Sequence, residues 1–401
     1  MAIFEYKVKD KSGKILKGTV EEDSKEKIIS RLHEQGMVIV SLKEAKKSIF
    51  SNKSSGKVSP EEIVIFTRQL TTLINSGISL VQALEILSEQ VKNAYFREVI
   101  SKVLSEVKEG RAFNVALAGF RNVFSNFYIS MVEAGEISGN LTDILDRVSI
   151  YLEKTVALKR KVKSSLTYPI VVVVMAIAIT TFLIIKVVPT FKQIFSSLNA
   201  QLPVPTQMLL SLSDSLRTYF LWIVGFIVLF SVLAKKYIAT PKGREKFDKF
   251  LLNLPVFGDI LKKVAIAHFC RTFSTLIKSG VPVLNALDIV GATSGNKVIE
   301  NTVRSAKQYV QQGEPLSVPL AESRIFPVMV TRMISIGEKS GKMEEMLSKI
   351  SEFYEEEVDT AVSSLTSIIE PLIIGFLGIV IGGIVIALFL PIINITKVIG
   401  R

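Results

Sequence analysis

A chain of 401 residues that is 48% hydrophobic, with a mean hydropathy of +0.40, is more apolar than an ordinary soluble protein, and its expected home is a bilayer. The net charge of +12 comes without a stripe of basic and aromatic residues, which argues against nucleic acid as a partner. One cysteine cannot form an internal disulfide, and two isolated histidines argue against a transition-metal centre.

Residues 1–45 read as a small α+β module. Phe4–Val8 and Ile15–Val20 alternate like strands around a Lys11–Lys14 turn, Ser24 caps a helix that Gly36 ends, and Met37–Leu42 is a third strand, giving the order β-β-α-β. No apolar core before a cleavage site follows Met1, so no secretory signal peptide is expected, and the N-terminus is placed in the cytoplasm. Residues 46–59, with serines at 48, 51, 54 and 55, read as a linker.

Helical periodicity begins with Ser59 as N-cap and Pro60 at the first helical position, followed by Glu61 and Glu62, and Ile63, Phe66, Leu70, Leu73 and Ile74 form one apolar stripe. This segment is written twice. Phe66–Gly77, which contains Arg68, returns at Phe269–Gly280, which contains Arg271, and Gly135-Glu136-x-x-Gly139 returns as Gly337-Glu338-x-x-Gly341. Each copy runs into a proline, Pro169 or Pro371, and then into an apolar stretch. Two antiparallel helical bundles are therefore expected at 60–168 and 237–370, punctuated by Gly77, Gly110 and Gly135 and by Gly280, Gly313 and Gly337. Cys270 stands where the first copy has Thr67 and reads as a small packing residue.

Three transmembrane helices are expected, at 169–188, 219–236 and 371–393, each near the roughly 20 residues that cross a hydrocarbon core. Lys159–Lys161 with Lys163, and Lys235 with Lys236, place both bundles inside, the 189–218 connection and the 394–401 tail outside. Pro169 and Pro371 read as helix starts, where a missing N–H costs nothing. Gly378-x-x-x-Gly382 suits a dimer or an intrachain helix contact in lipid.

No phosphate-binding loop, dinucleotide fingerprint or nucleophile elbow is present, so neither enzymatic activity nor a cofactor is expected. Carboxylates cluster at Glu352, Glu355–Glu357 and Asp359; this is either a solvated helix face or an oxygen-ligand calcium site. Glu136 and Glu338 have two readings. They cap the next helix across a glycine turn, or they join Arg68 and Arg271, as partner-facing surface or as a buried tie inside each bundle.

Lys161-Val-Lys-Ser-Ser-Leu-Thr-Tyr168-Pro169, the following span closing at Pro189, and the paired Phe-x-Arg and Gly-Glu-x-Ser-Gly elements resemble the inner-membrane platform proteins of type IV pilus and type II secretion machines, the PilC or GspF family. The opening Phe4-Glu-Tyr-Lys-Val resembles the extra domain that many members carry, and the second copy departs from the pattern where Ile369-Glu370-Pro371 replaces Thr-Tyr-Pro. The resemblance implies a non-enzymatic scaffold of the bacterial inner membrane. It would couple a hexameric assembly or retraction ATPase to pilin or pseudopilin subunits, contact other inner-membrane pilus components, and self-associate as a dimer or higher oligomer. The type II secretion equivalent and a membrane-tethered signalling scaffold are the alternatives. A secondary transporter fits poorly, because three spans leave little room for a midplane site.

Overall fold

The computed structural model describes residues 2–9, 15–22, 28–29, 38–44, 56–190 and 204–399. The chain divides into two compact units, residues 1–58 with 88–100, and residues 59–87 with 101–401.

In the first unit, β1 (Ala2–Lys9), β2 (Ile15–Glu22) and β3 (Val38–Glu44) form an antiparallel sheet in the order β2-β1-β3. Phe4 pairs with Val20, Tyr6 pairs with both Gly18 and Leu42, and the β1–β3 register shifts at Lys7/Val8. Of the helix expected between β2 and β3, only Ile28 and Ile29 are described; both are helical and Ile28 is buried. The rest of that helix, and linker residues 46–55, lie outside the described residues.

The repeat in the sequence is a repeat in the structure. The first copy comprises α1 (Pro60–Asn75), α2 (Leu80–Gln90), α3 (Ala94–Lys108), α4 (Phe113–Ala118), α5 (Asn126–Ser138) and α6 (Leu141–Phe182). After α7 (Val204–Ile238) and α8 (Pro241–Leu252), the second copy comprises α9 (Phe257–Lys278), α10 (Val283–Thr293), α11 (Lys297–Gln311), α12 (Ser317–Glu322), α13 (Val328–Ser340) and α14 (Met343–Ile399). The four middle helices have 11, 15, 6 and 13 residues in both copies. A capping box starts α1, with Ser59 Oγ accepting from Glu62 N at 3.2 Å and Glu62 Oε2 accepting from Ser59 N at 2.7 Å. The cores match as well: Phe66 meets Phe124 with ring centroids 6.1 Å apart, and their counterparts Phe269 and Phe326 meet at 5.1 Å.

Three helices are long and apolar enough to cross a membrane, within Leu141–Thr190, Thr218–Ile238 and Met343–Ala387. Two expectations need correction here. Pro169 and Pro371 do not start helices; each sits inside one, in α6 of 42 residues and α14 of 57. Where a helix enters lipid, ending it would strand several backbone groups without partners, whereas an interior proline forfeits a single hydrogen bond. The 189–218 connection is also not all loop, since α7 is already helical at Val204. Its hydroxyl-rich stretch resembles a loop in composition. In the structure those hydroxyls bond to backbone: Thr206 Oγ1 donates to Ala387 O at 2.5 Å and Ser213 Oγ to Ile184 O at 2.7 Å. The latter carbonyl belongs to a π-helical turn, Leu183–Val187, that continues α6, and Leu210 packs there with Ile184, Val188 and Ile384.

Candidate functional site

The arginines singled out by the repeat are not paired with Glu136 and Glu338. Arg68, on α1, forks onto Glu153 of α6, with Nε to Oε1 at 2.6 Å and Nη2 to Oε2 at 2.7 Å, and Nη1 reaches Asp146 Oδ1 at 3.2 Å. The hydrogen bond from Arg68 holds the Glu153 carboxyl below its ordinary range, against the opposing effect of burial. Arg271, on α9, makes the corresponding ion pair with Glu355 of α14. In each copy one arginine–glutamate pair ties the first bundle helix to the long helix that continues into an apolar span, as a two-oxygen fork in the first copy and through a single carboxylate oxygen in the second.

Glu136 and Glu338 have a different task, and it is not to cap the next helix. Glu136 reaches back to the start of α4, where its two oxygens accept from Phe113 N at 2.6 Å and Asn114 N at 2.8 Å; Glu338 accepts from Leu316 N at 3.0 Å, before α12. The buried-tie reading of Arg68 with Glu136, and of Arg271 with Glu338, is thereby overturned: each glutamate serves orphan N–H groups at the start of a short helix, and each arginine pairs with a carboxylate of the long helix. The glycines divide the turn between them. Gly139 and Gly341 hold φ of +69° and +71° at the C-caps of α5 and α13. Gly135 and Gly337 are helical and buried instead, and a Cβ there would lie 3.1 Å from Ile144 Cβ or from Met343 Cα, so they let each long helix start close against its neighbour. Gly77 and Gly280, with φ of +85° and +80°, end the turns after α1 and α9.

The two copies also meet each other. Tyr151 of α6 is buried, and its hydroxyl lies 3.0 Å from Thr272 Oγ1 and 3.3 Å from His268 Nε2 of α9. Burial, helped by the charge of Lys159, pushes the His268 pKa down to about 4. Arg147 Nη1 donates to Lys278 O at 2.7 Å, and Lys161 pairs with Asp359 at 2.5 Å across α6 and α14. Burial works against the charge on Lys263, but the hydrogen bonds that it donates to Glu357 and Asp259 outweigh it and raise its pKa. Three of the clustered carboxylates, Glu355, Glu357 and Asp359, are thus bound by Arg271, Lys263 and Lys161. Among the described residues no group of three or more ligating side chains is arranged for a metal ion. A cavity of about 340 Å³ lies between the copies, lined among others by Lys154, Lys159, Arg244, His268 and Glu355.

In the spans, an apolar groove of about 480 Å³ runs between α6 and α14, lined by Val173, Ile177, Ile369, Ile373 and Phe376. Tyr168, at the head of the first span, is 55% exposed. Cβ atoms added at Gly378 and Gly382 would meet nothing, so their close-approach face is not used by an intrachain contact among the described residues.

Two segments match the model of type II secretion system protein F, residues 66–189 and 269–391, and residues 1–43 match that of its N-terminal domain. The chain belongs to the type II secretion system protein F family. Among similar proteins, the type IV pilus assembly protein PilC of Thermus thermophilus is 40% identical over 400 residues, 98% of each chain, and PilC of Myxococcus xanthus is 41% identical over 398 residues, 98% of this chain and 95% of that one. The type II secretion system protein F of Vibrio cholerae is 30% identical over the full length of both. The family's two matched segments are the two structural copies, each from its arginine-bearing helix to its span. Family motifs missed Glu153, Asp146, Tyr151 and Tyr128. The repeat held a signal for the first of these, since Glu153 and Glu355 occupy the same position in the two copies.

Proposed function

We propose that this protein is the inner-membrane platform of a type IV pilus assembly system, coupling a hexameric cytoplasmic ATPase to the insertion or extraction of pilin-like subunits. One observation carries the choice of pilus over secretion: identity of 40% to PilC proteins across nearly the whole chain, against 30% to the secretion protein. The architecture supports the coupling. Each bundle is clamped by an arginine–glutamate pair to a helix that runs uninterrupted toward the bilayer, so a push on either bundle moves a span. Pro169 and Pro371 sit at the same register of the two long helices and supply matching flexure points where bundle becomes span.

In this reading the basic flanks, Lys159–Lys163 and Lys235–Lys236, face the cytoplasm, with both bundles and an N-terminal β-β-α-β module on that side and the C-terminus outside. Residues 60–168 and 237–370 are the two bundles, and the groove between α6 and α14 is the surface for an apolar pilin helix. Drawing a helix of roughly 20 apolar residues from lipid into water costs far more than thermal energy at about 25 cal/mol per Å², which is why the ATPase is required. The glycine face at Gly378 and Gly382, where an added Cβ would meet nothing, supports self-association.

The test is a mild-detergent pull-down of the tagged full-length protein from its native membrane, followed by mass spectrometry. Co-purification of a hexameric assembly ATPase with pilin-like subunits is expected. Recovery of secretion pseudopilins instead assigns the protein to a secretion machine, and recovery of neither by an intact oligomer overturns the platform reading.

A further inference from the structure

We propose that α8 is an interfacial anchor, resting on the bilayer leaflet nearest the bundles with anionic phospholipid headgroups as its ligand. The inference rests on α7 crossing the bilayer. Only Ala239 and Thr240 separate the end of α7 from the start of α8. The bend is as tight as a backbone allows, because a Cβ on Gly243 would lie 2.0 Å from Tyr237 O. A 12-residue helix reaches about 18 Å, so α8 stays within reach of the headgroups beside Lys235 and Lys236.

One side of α8 is held by the protein. Gly243, Asp248 and Leu252 are buried, and Asp248 accepts from Lys297 N at 2.7 Å while pairing with Arg244 at 3.2 Å. The other side meets no protein among the described residues. Lys242, Lys246, Lys249 and Phe250 are exposed and fall within about 100° of one another at helical spacing. Among the described residues, none of the three lysines has an ion-pair partner, and Phe250 is 61% exposed. Just beyond, Val256 and Phe257 also point outward, and Val256 holds φ of +67°, a conformation a β-branched residue keeps only when its surroundings enforce it. Unpaired lysines around an outward phenylalanine, at the end of a span, match what an anionic membrane surface binds: ammonium groups meet phosphates while the ring enters the boundary with the acyl chains.

The experiment reconstitutes the full chain in nanodiscs with brominated acyl chains. The protein has one tryptophan, Trp222, in α7. Replacing it in a Trp222→Phe, Phe250→Trp variant moves the reporter to an exposed position that tolerates the change. In phosphatidylglycerol-rich bilayers the emission should fall at least about two-fold, and the loss should shrink in pure phosphatidylcholine or with Lys242, Lys246 and Lys249 changed to Gln, as expected for a screened charge interaction. Emission untouched by brominated lipid but quenched by aqueous acrylamide overturns the anchor and turns the arc toward a protein partner. Equal quenching in both lipids overturns the anionic preference. Trp222 in the unaltered chain separates the premises: if it is quenched while the position-250 reporter is not, the span stands and only the anchor fails.

Discussion

The same charge pair sits in two different surroundings in the two copies. Arg68 and Glu153 leave 41% and 38% of their side chains exposed and have Asp146 as a third member; Arg271 and Glu355 leave 14% and 24% and have no third member among the described residues. Beside them, Ile65 on α1 is 57% exposed, while its counterpart His268 on α9 is covered by Tyr151 of α6. Inside the bundles the exchange is coordinated. Thr67 Oγ1 donates to Tyr128 Oη at 3.3 Å, and the counterparts of that pair are Cys270 and Val330, both buried. Removing both partners of a buried hydrogen bond together leaves nothing unsatisfied, whereas removing one does. The two copies share one framework, and in the second the arginine–glutamate pair is less exposed and the buried Thr67–Tyr128 hydrogen bond is replaced by apolar packing.

The strongest test of this contrast is truncation of the arginines in the full-length protein. Arg271→Ala leaves a largely buried carboxylate and should cost about 3 kcal/mol. Arg68→Ala should cost about 1 kcal/mol or less, because water reaches that pair. Cys270 provides the measurement for the second copy: it is the sole thiol, wholly buried, and its burial pushes its pKa up, so it should label only as that core opens. A Thr67→Cys, Cys270→Ala chain moves the reporter to the first copy. Equal losses for the two arginines would erase the distinction.

Between pH 6.5 and 4 acid should act through His268 of the second copy; at lower pH it should also reach the first copy, where Arg68 holds the Glu153 carboxyl below its ordinary range. His268 binds its proton near pH 4 in the folded protein and near 6.5 when unfolded, so the unfolded state takes up the extra proton as pH falls through that window. Stability should decline by up to about 3 kcal/mol between pH 6.5 and 4. In His268→Gln that part of the slope should vanish, which thermal unfolding across pH would show. An unchanged slope would place the titration elsewhere.

Smaller effects follow from the caps. Glu136→Ala should cost about 2 kcal/mol and Glu338→Ala about 1, since the first carboxylate serves two backbone N–H groups and the second only one. Gly139→Ala and Gly341→Ala should each cost about 1 kcal/mol and match one another, because both glycines hold the same left-handed conformation in open space. Unequal costs there would mean that the two turns are not equivalent.

Much of the architecture was legible before any coordinates. The 203-residue echo, the Ser59 cap, the apolar stripe of α1 and the three apolar runs are local patterns, and local patterns survive because helices are built from neighbours in sequence. The misreadings share one cause. By residue type alone Pro169 and Pro371 read as helix starts, Val204–Thr218 as a loop, and Glu136 as a cap for the next helix or a partner for Arg68, because residue type carries no information about surroundings. Lipid keeps a proline-bearing helix intact, buried carbonyls at Ile184 and Ala387 convert serine and threonine into helix residues, and the orphan N–H groups of α4 compete for Glu136.

The sequence by itself determined that this is a duplicated helical chain with three segments apolar enough to cross a bilayer, since periodicity and hydropathy are set by neighbours along the chain, and its motifs carried the resemblance to the family. Only the tertiary structure decided which carboxylate each arginine clasps, how exposed each pair is, and which face of α8 meets no protein among the described residues. Those depend on helices far apart in sequence competing for the same side chains, and burial sets the outcome.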